Sequence, residues 1–498
     1  MNRSPDNSIV REWGKYRQPQ RSPRVPVWVL VMLLVASGLG ALAITVWLAV
    51  RPHPWRPPSG SPAFVSCTYG GRISAWCARL AVPEDPQRPD GRSISLRIAV
   101  LPATTRPAAG ALFYLEGGPG GAASQSAVLV NTLFAQVERN RDIVMVDERG
   151  TGGSNRLTCP GLTPQGSADA VAAYVRRCFA GLRADPRLYT SSVAADDLEA
   201  VRQALGYGKV DLFGASYGAT LAQVYLHLFP TSVRTAVLSS ASLTSVRLYD
   251  TSARNAEHAL DALLERCAGA DACRRAFPNT RRELAQLLMR GPRRVATPGS
   301  AVVLGPDEVS WTIDSLSETP TTAATLPFAI HAAWRGDYLP LARAYATDLG
   351  SLGRLALFWE TVCSEPWAGL DPAVTARLGA GSYLVHAAVD RARVLRDACR
   401  AVPRGRVAPG AFDAATSTRV PVLMLAGGAD PLDPAANVRG WQHVFPEGRL
   451  VVVPGAGHGT IEYGCVQTLV ARFVEGGSAA HLDATCVRHV HLPPFMTG

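Results

Sequence analysis

The residue whose surroundings most directly indicate chemistry is Ser216. It lies in residues 214–218, GASYG, a G-x-S-x-G pattern between a short apolar run at 210–213 and a helix-like segment at 217–229. In a strand–turn–helix setting the turn lifts the hydroxyl clear of the sheet, and the first helical N–H, here that of Tyr217, can donate to a developing oxyanion. The pattern predicts a nucleophilic serine for acyl transfer.

A serine hydroxyl needs a base to take its proton and an acid to orient that base, in the chain order Ser, Asp, His. His458 lies in PGAGHG directly after an apolar run at 450–453. Asp430 lies in GGADPLDP after the run at 420–425, and Asp433 is the alternative acid in the same segment. Asp430 is favoured because it is nearer the strand end, where the sites of parallel sheets form. The sequence therefore predicts a triad completed by His458 and Asp430.

Two glycine-rich segments follow other apolar runs. In EGGPGG, residues 116–121, the N–H of Gly118 or of a neighbour is a candidate second oxyanion donor, although a plain turn is the alternative. DERGTGGS, residues 147–154, lacks the spacing and the lysine of a phosphate-binding loop. We expect Asp147 and Arg149 to form a partly buried pair that fixes the loops around the site.

The apolar runs between these motifs predict the scaffold. Strands that alternate with helices indicate a parallel sheet with helices on both faces, an α/β fold. The predicted strands are 93–101, 111–115, 141–146, 210–213, 235–238, 420–425 and 450–453, and the predicted helices of the sheet domain are 194–205 and 217–229.

The alternation stops near residue 243 and returns only at residue 420. Segments rich in Ala, Leu and Arg fill the interval, and those at 252–267 and 280–289 read as helices. We therefore expect a sheet domain in two parts, 63–243 and 416–498, with a large, mostly helical cap, 244–415, inserted between them.

The amino-terminal segment has the composition of a membrane anchor. Residues 1–26 are basic, and residues 27–50 carry no charged side chain over a length that suits a bilayer-spanning helix. This predicts a cytoplasmic tail, a signal anchor and then an extracytoplasmic chain, with Pro-rich residues 51–62 as a linker. A cleaved signal peptide is the alternative, in which case the protein is secreted.

All ten cysteines follow the predicted span, which indicates disulfides formed in an oxidising compartment. Pairing of sequence neighbours would give 67–77, 159–178, 267–273, 363–399 and 465–486, although spacing leaves the connectivity open. No cysteine pattern suggests a metal site. The net charge of +10 is spread along the 498 residues, so a nucleic-acid partner is not indicated. The chemistry requires no cofactor, and the oligomeric state stays open.

The motifs EGGPGG, DERGTGGS, GASYG, GGADPLDP and GAGHG, in this order, resemble the proline iminopeptidase and tripeptidyl aminopeptidase branch of the α/β-hydrolases. The resemblance covers residues 63–243 and 416–498. It implies the α/β-hydrolase fold, the triad and oxyanion roles named above, and cleavage from the free amino end of peptides.

The resemblance also suggests substrate contacts. In this family acidic residues of the cap hold the substrate ammonium, for which Glu365 is the candidate and Glu360 the second choice. Glu116 stands where His or Asn often precedes the glycines, so substrate contacts at that position are expected to differ.

Three hypotheses follow. The leading one is an extracytoplasmic aminopeptidase that releases N-terminal proline or short peptides through an acyl-enzyme. The second is a carboxylesterase or lipase that acts on envelope or exogenous esters. The third, from another class, is a catalytically silent, membrane-tethered binding protein, against which the complete set of Ser216, Asp430 and His458 counts.

Overall fold

The computed structural model describes Trp55, Pro57 and residues 60–159, 161, 168–298, 300–348, 355–365, 369–413 and 417–497. All elements named below belong to one compact unit, residues 56–498. The predicted tail and span, residues 1–50, lie outside the described residues. Within the described residues, no helix has both the length and the apolar character needed to cross a bilayer.

A nine-stranded sheet forms the scaffold, in the order β1-β2-β3-β5-β4-β6-β7-β10-β11. Its strands are β1 Val65–Tyr69, β2 Ile73–Pro83, β3 Ser93–Leu101, β4 Ala111–Leu115, β5 Asp142–Val146, β6 Val210–Ala215, β7 Val233–Ser239, β10 Val422–Gly427 and β11 Gly448–Val453. The six strands from β5 to β11 in that order are parallel, whereas β1, β2, β3 and β5 pair antiparallel. The prediction of a mostly parallel sheet is therefore confirmed, and its antiparallel strands lie at one side of the sheet.

The central strands are apolar throughout because helices cover both faces of the sheet. Leu112 and Phe213 share one buried cluster with the helices at residues 127–133 and 464–476. The alternating Phe113 and Leu212 point to the opposite face and are equally buried. The helices of the sheet domain are α1 Ala127–Leu133, α2 Ala168–Ala180, α3 Ser191–Ala204, α4 Tyr217–Leu228, α15 Trp441–Val444 and α16 Gly464–Gly476.

Between β7 and β10 the chain is mainly helical. Its helices are α5 Leu248–Gly269, α6 Asp271–Ala276, α7 Thr280–Leu288, α8 Pro306–Ser317, α9 Pro320–Ala323, α10 Leu326–Arg335, α11 Leu339–Asp348, α12 Ala356–Ser364, α13 Pro372–Leu378 and α14 Val385–Cys399. An antiparallel hairpin, β8 Arg293–Thr297 with β9 Ser300–Leu304, lies among them and was not predicted. Several of these helices bury a core of their own around Leu260, Ile313 and Ile330.

Five disulfides hold the fold, and they join the sequence neighbours proposed above. The pairs are Cys67–Cys77, Cys159–Cys178, Cys267–Cys273, Cys363–Cys399 and Cys465–Cys486. The fourth ties the end of α12 to the end of α14, and the fifth ties the carboxyl-terminal segment to α16. No free cysteine is left among the described residues.

Candidate active site

Ser216 occupies a sharp elbow between β6 and α4. Its φ of 55° is positive, which is rare for a residue other than glycine and requires support from the surroundings. The glycines of the pattern provide the space, because a Cβ at Gly214 would lie 2.2 Å from the Gly218 carbonyl oxygen. A Cβ at Gly218 would in turn lie 2.2 Å from the Leu115 carbonyl oxygen. The Ser216 N–H donates to Ser239 O at 3.0 Å, so the elbow is fixed to the end of β7.

His458 and Asp430 are in direct contact. The Nδ1 atom of His458 lies 3.1 Å from each carboxylate oxygen of Asp430, which is fully buried. The same carboxylate accepts the N–H groups of Leu432 and Asp433, each at 2.9 Å, which fixes its orientation. The alternative acid, Asp433, keeps its nearest oxygen 4.0 Å from Nδ1 and accepts a hydrogen bond from Ser242 Oγ. Asp430 is thus the acid that contacts the imidazole.

The two partners shift each other's pKa. Burial alone raises the pKa of Asp430, but the charge and hydrogen bond of His458 outweigh burial, so the pKa lies below its ordinary value. Burial lowers the pKa of His458, yet the charge of Asp430 and its hydrogen bond outweigh that effect and raise it. Burial raises the pKa of Asp433 to about 6. The arrangement stabilises an imidazolium, the form that a general base adopts after it takes a proton.

The end of β7 brings the His458 loop to the Ser216 elbow. Ser239 O accepts the Ser216 N–H, and the next residue, Ser240, donates from Oγ to His458 O at 2.6 Å. On its other side the His458 N–H donates to Glu318 O at 2.6 Å, a carbonyl just after α8. Within the described residues no direct hydrogen bond joins Ser216 Oγ to the imidazole. Such bonds often tighten only when substrate is bound.

The EGGPGG loop runs beside the nucleophile. A Cβ at Gly117 would lie 3.4 Å from Ser216 Cβ, so this backbone is in contact with the elbow. The Gly117 N–H already donates to Glu116 Oε1 at 2.9 Å. The N–H groups of Gly118 and Tyr217 have no hydrogen-bond acceptor among the described residues, and Gly118 is exposed. That Gly118 and Tyr217 supply the two oxyanion donors stays a prediction.

The sequence model of the alpha/beta hydrolase fold family matches residues 110–464. This range includes Ser216, Asp430 and His458. The chain belongs to the α/β-hydrolase family. It is 31% identical to serine protease Hip1 of Mycobacterium tuberculosis (42% of this chain, 46% of that protein) and 32% identical to a tripeptidyl aminopeptidase of Streptomyces coelicolor (33% and 34%). It is also 30% identical to carboxylesterase B of M. tuberculosis (30% and 26%). The chain spans less than half the length of each of these relatives, and the matches support a serine hydrolase enzyme.

In this α/β-hydrolase the expected pair of Asp147 and Arg149 is not formed. Asp147 is fully buried and accepts the N–H groups of Ser124 and Gly153, each at 2.8 Å. Arg149 is equally buried and makes two hydrogen bonds to Asp197, at 2.7 and 2.6 Å. Asp147 and Arg149 therefore bind different partners, and each fixes a different segment of the chain.

Glu116 is engaged within its own loop. Its carboxylate accepts the Gly117 N–H, accepts a hydrogen bond from Ser126 Oγ and lies 3.4 Å from the Tyr114 hydroxyl. These contacts hold the loop that carries Gly118.

Glu365 and Glu360 are both buried, in contrast to side chains that line an open cleft. The two oxygens of Glu365 accept hydrogen bonds from the N–H and the hydroxyl of Ser191, at 2.7 and 2.9 Å. Glu360 Oε1 accepts a hydrogen bond from Ser364 Oγ at 2.8 Å, and burial raises the Glu360 pKa to about 8. Glu365 is thus bonded to Ser191, at the start of α3. That Glu365 or Glu360 binds a substrate ammonium stays a prediction.

Two residues near the site were missed by sequence reasoning. The Tyr217 hydroxyl lies 2.8 Å from Glu148 Oε1 and 2.9 Å from Ser191 Oγ. Glu148 stands inside the DERGTGGS motif, between the two residues that were considered, and this position was the available signal. Ser191 begins α3, which was predicted to start three residues later.

Proposed function

We propose that this α/β-hydrolase is an extracytoplasmic aminopeptidase that uses Ser216, Asp430 and His458 as its catalytic triad. The observation that carries the proposal is the buried Asp430 carboxylate on the imidazole of His458, in a loop tied to the same strand end as Ser216. A buried carboxylate, an imidazole and an elbow serine in this chain order are the parts that acyl transfer requires.

The chemistry proceeds in two steps. His458 takes the Ser216 proton as Oγ attacks the scissile carbonyl, while Asp430 holds the imidazole in the productive tautomer and stabilises its charge. The N–H groups of Tyr217 and Gly118 receive the oxyanion. His458 then gives its proton to the leaving amine, and the C–N bond breaks to leave an acyl-enzyme. Water, deprotonated by His458, attacks that ester and releases the acyl group and Ser216.

The preference for peptides and for a free amino end rests on similarity. Two of the relatives carry the names serine protease and tripeptidyl aminopeptidase, and the five motifs resemble the same branch. The extracytoplasmic location is supported by five disulfides, since these persist mainly in oxidising compartments. We propose that residues 27–50 anchor the protein in the membrane.

The experiment that tests this function is activity profiling of the full chain and its Ser216→Ala variant. A fluorophosphonate should label wild type and leave the variant unlabelled. Proline and tripeptide anilides with a free amino end should be hydrolysed, and the matched N-acetylated anilides should not. Absence of labelling would favour a silent binding protein, and equal turnover of the acetylated anilides would refute the aminopeptidase assignment.

A carboxylesterase is the second candidate, because the chain is also 30% identical to carboxylesterase B. The triad and oxyanion donors serve both reactions, so the site geometry does not separate them. Short acyl p-nitrophenyl esters in the same assay make the comparison. Ester turnover without turnover of any anilide would establish the esterase and exclude the peptidase.

A further inference from the structure

Two glutamates contact a pair of buried hydroxyl groups, those of Ser191 and of Tyr217, the residue that follows Ser216 in the chain. The Tyr217 hydroxyl lies 2.8 Å from Glu148 Oε1 and 2.9 Å from Ser191 Oγ. Ser191 Oγ lies 2.9 Å from Glu365 Oε2. Ser191 is fully buried, Tyr217 and Glu365 are each 3% exposed, and Glu148 is half-buried. The four side chains therefore form one continuous chain of contacts, which we call the Glu148–Glu365 chain.

The number of protons in this chain is constrained by its contacts. Three oxygen–oxygen contacts of hydrogen-bond length need three protons, but the hydroxyls of Tyr217 and Ser191 supply only two. An ionised carboxylate accepts and cannot donate. If both glutamates were ionised, one contact would press two lone pairs together in a buried site, which costs free energy. The third proton must therefore belong to a carboxyl group.

We propose that the Glu148–Glu365 chain holds one carboxyl proton, that this proton resides on Glu148, and that Glu148, Ser191 and Glu365 are positioning residues for Tyr217. The Glu148 O–H then donates to the Tyr217 oxygen, the Tyr217 O–H donates to Ser191 Oγ, and the Ser191 O–H donates to Glu365. Every contact in the chain carries one proton, and all donors point the same way.

The surroundings of Glu365 favour its ionised form over that of Glu148. Glu365 also accepts the Ser191 N–H at 2.7 Å, and Ser191 is the first residue of the 14-residue helix α3. The first N–H groups of a helix have no partner within it, and the helix dipole favours an anion at that end. Within the described residues, Glu148 accepts no comparable backbone N–H.

Both carboxyls have a raised pKa. Burial raises the pKa of Glu148 to about 8, the Tyr217 hydrogen bond opposes this, and the charges of Glu365 and Asp197 add to it. Burial raises the pKa of Glu365 to about 7, and both hydrogen bonds from Ser191 lower it. The charged groups that act on the chain are Arg149, which is paired with Asp197, and Glu360 beside Glu365.

The chain links α12 to the residue that follows the nucleophile. Glu365 comes directly after α12, whereas Tyr217 begins α4 and, under the proposed function, offers its N–H to the oxyanion. As pH rises above about 8, Glu148 loses its proton. Two anions then face the hydroxyls, one hydrogen bond is lost, and Tyr217 is held less firmly. Loss of this proton should therefore lower the reactivity of Ser216 relative to a variant in which position 148 does not titrate.

The proton is tested by infrared difference spectroscopy of the full chain at pH 7, because a protonated carboxyl has its own C=O stretching band. We expect Glu148→Gln to lose one such band, which in wild type disappears as pH rises through about 8. Glu138→Gln is the matched control. Glu138 is half-buried in the turn after α1, burial raises its pKa to about 7, and it accepts a hydrogen bond from Asn131. That variant should lose a different band and leave the Glu148 band in place.

The positioning role is tested by fluorophosphonate labelling rates. The Glu148→Gln amide can still donate to Tyr217 but does not titrate. We therefore compare the labelling rate of Glu148→Gln with that of wild type at each pH. The titration of His458 is common to both proteins and cancels in this ratio. The ratio should stay near one at pH 7 and rise severalfold above pH 8. Glu148→Ala and Tyr217→Phe, which break the chain, should label about tenfold more slowly at pH 7.

Each outcome decides one part of the proposal. A band lost in Glu365→Gln and kept in Glu148→Gln would move the proton to Glu365 and overturn the assignment. A flat rate ratio across the pH range would overturn the positioning role. If wild type does not label at all, the proposed function fails, and the infrared bands still decide where the proton is.

Discussion

Both carboxylate oxygens of Asp430 lie 3.1 Å from Nδ1 of His458. The same carboxylate accepts two backbone N–H groups of the turn in which Asp430 stands. The imidazole and the carboxylate therefore cannot reorient independently. This relationship, more than the serine pattern alone, separates the chain from a protein with an incidental G-x-S-x-G turn.

Asp430→Asn should lower kcat by about 10⁴-fold while the fold is kept, because the amide no longer fixes the productive tautomer or stabilises the imidazolium. Asp433→Asn is the matched control, since its nearest oxygen is 4.0 Å from the same nitrogen. We expect that control to change kcat by less than about tenfold. Steady-state kinetics with circular dichroism of both variants makes the comparison, and equal losses would contradict the assignment of the acid.

The pH dependence follows from the raised pKa of His458. Only the neutral imidazole can take a proton from Ser216, so kcat/KM should rise as pH rises through that pKa, with its midpoint above the ordinary value of 6.5. Asp430→Asn removes the charge that raises the pKa and should move the imidazole titration to lower pH. Histidine NMR titration of both proteins, with His458→Gln for assignment, tests the shift, and an unchanged midpoint would refute the electrostatic cause.

Gly218→Ala should disrupt the elbow, because the new Cβ would meet the Leu115 carbonyl oxygen at 2.2 Å. Backbone cannot yield as a flexible side chain can, so we expect a loss of about 2–4 kcal/mol in the free energy of unfolding and no labelling of Ser216. Gly208→Ala, where a Cβ would meet nothing within 4 Å, is the control and should leave both unchanged. Urea unfolding measures the difference, and equal stability of the two variants would contradict this reading of the elbow.

Arg149→Ala should destabilise the sheet domain by about 3–5 kcal/mol, because it leaves the buried Asp197 carboxylate without its partner. Arg187→Ala removes a comparable but solvent-exposed contact to Asp185, and there the loss of stability should be much smaller. Chemical denaturation of both variants gives the values. Similar losses at the two sites would show that burial does not govern these pairs.

Much of the scaffold could be predicted from the sequence because its signals are local. The strands β3 and β4 were predicted with the same bounds that they have in the structure, because polar and turn-forming residues flank their apolar runs. The strands β1 and β2, at the antiparallel side of the sheet, were not predicted, because their buried and exposed positions alternate irregularly. The five disulfides join cysteines that follow one another in the sequence, which is the pairing considered above, although spacing alone had left the connectivity open.

The sequence by itself determined which residues could supply nucleophile, base and acid, because each stands directly after an apolar strand in a glycine-rich turn. Only the tertiary structure decided that Asp430 contacts the imidazole at a distance that Asp433 does not reach, and that Glu365 meets Ser191 across 174 residues of chain. The reason is physical: turn and strand preferences act over a few neighbouring residues, whereas contacts between loops depend on how the sheet and helices pack.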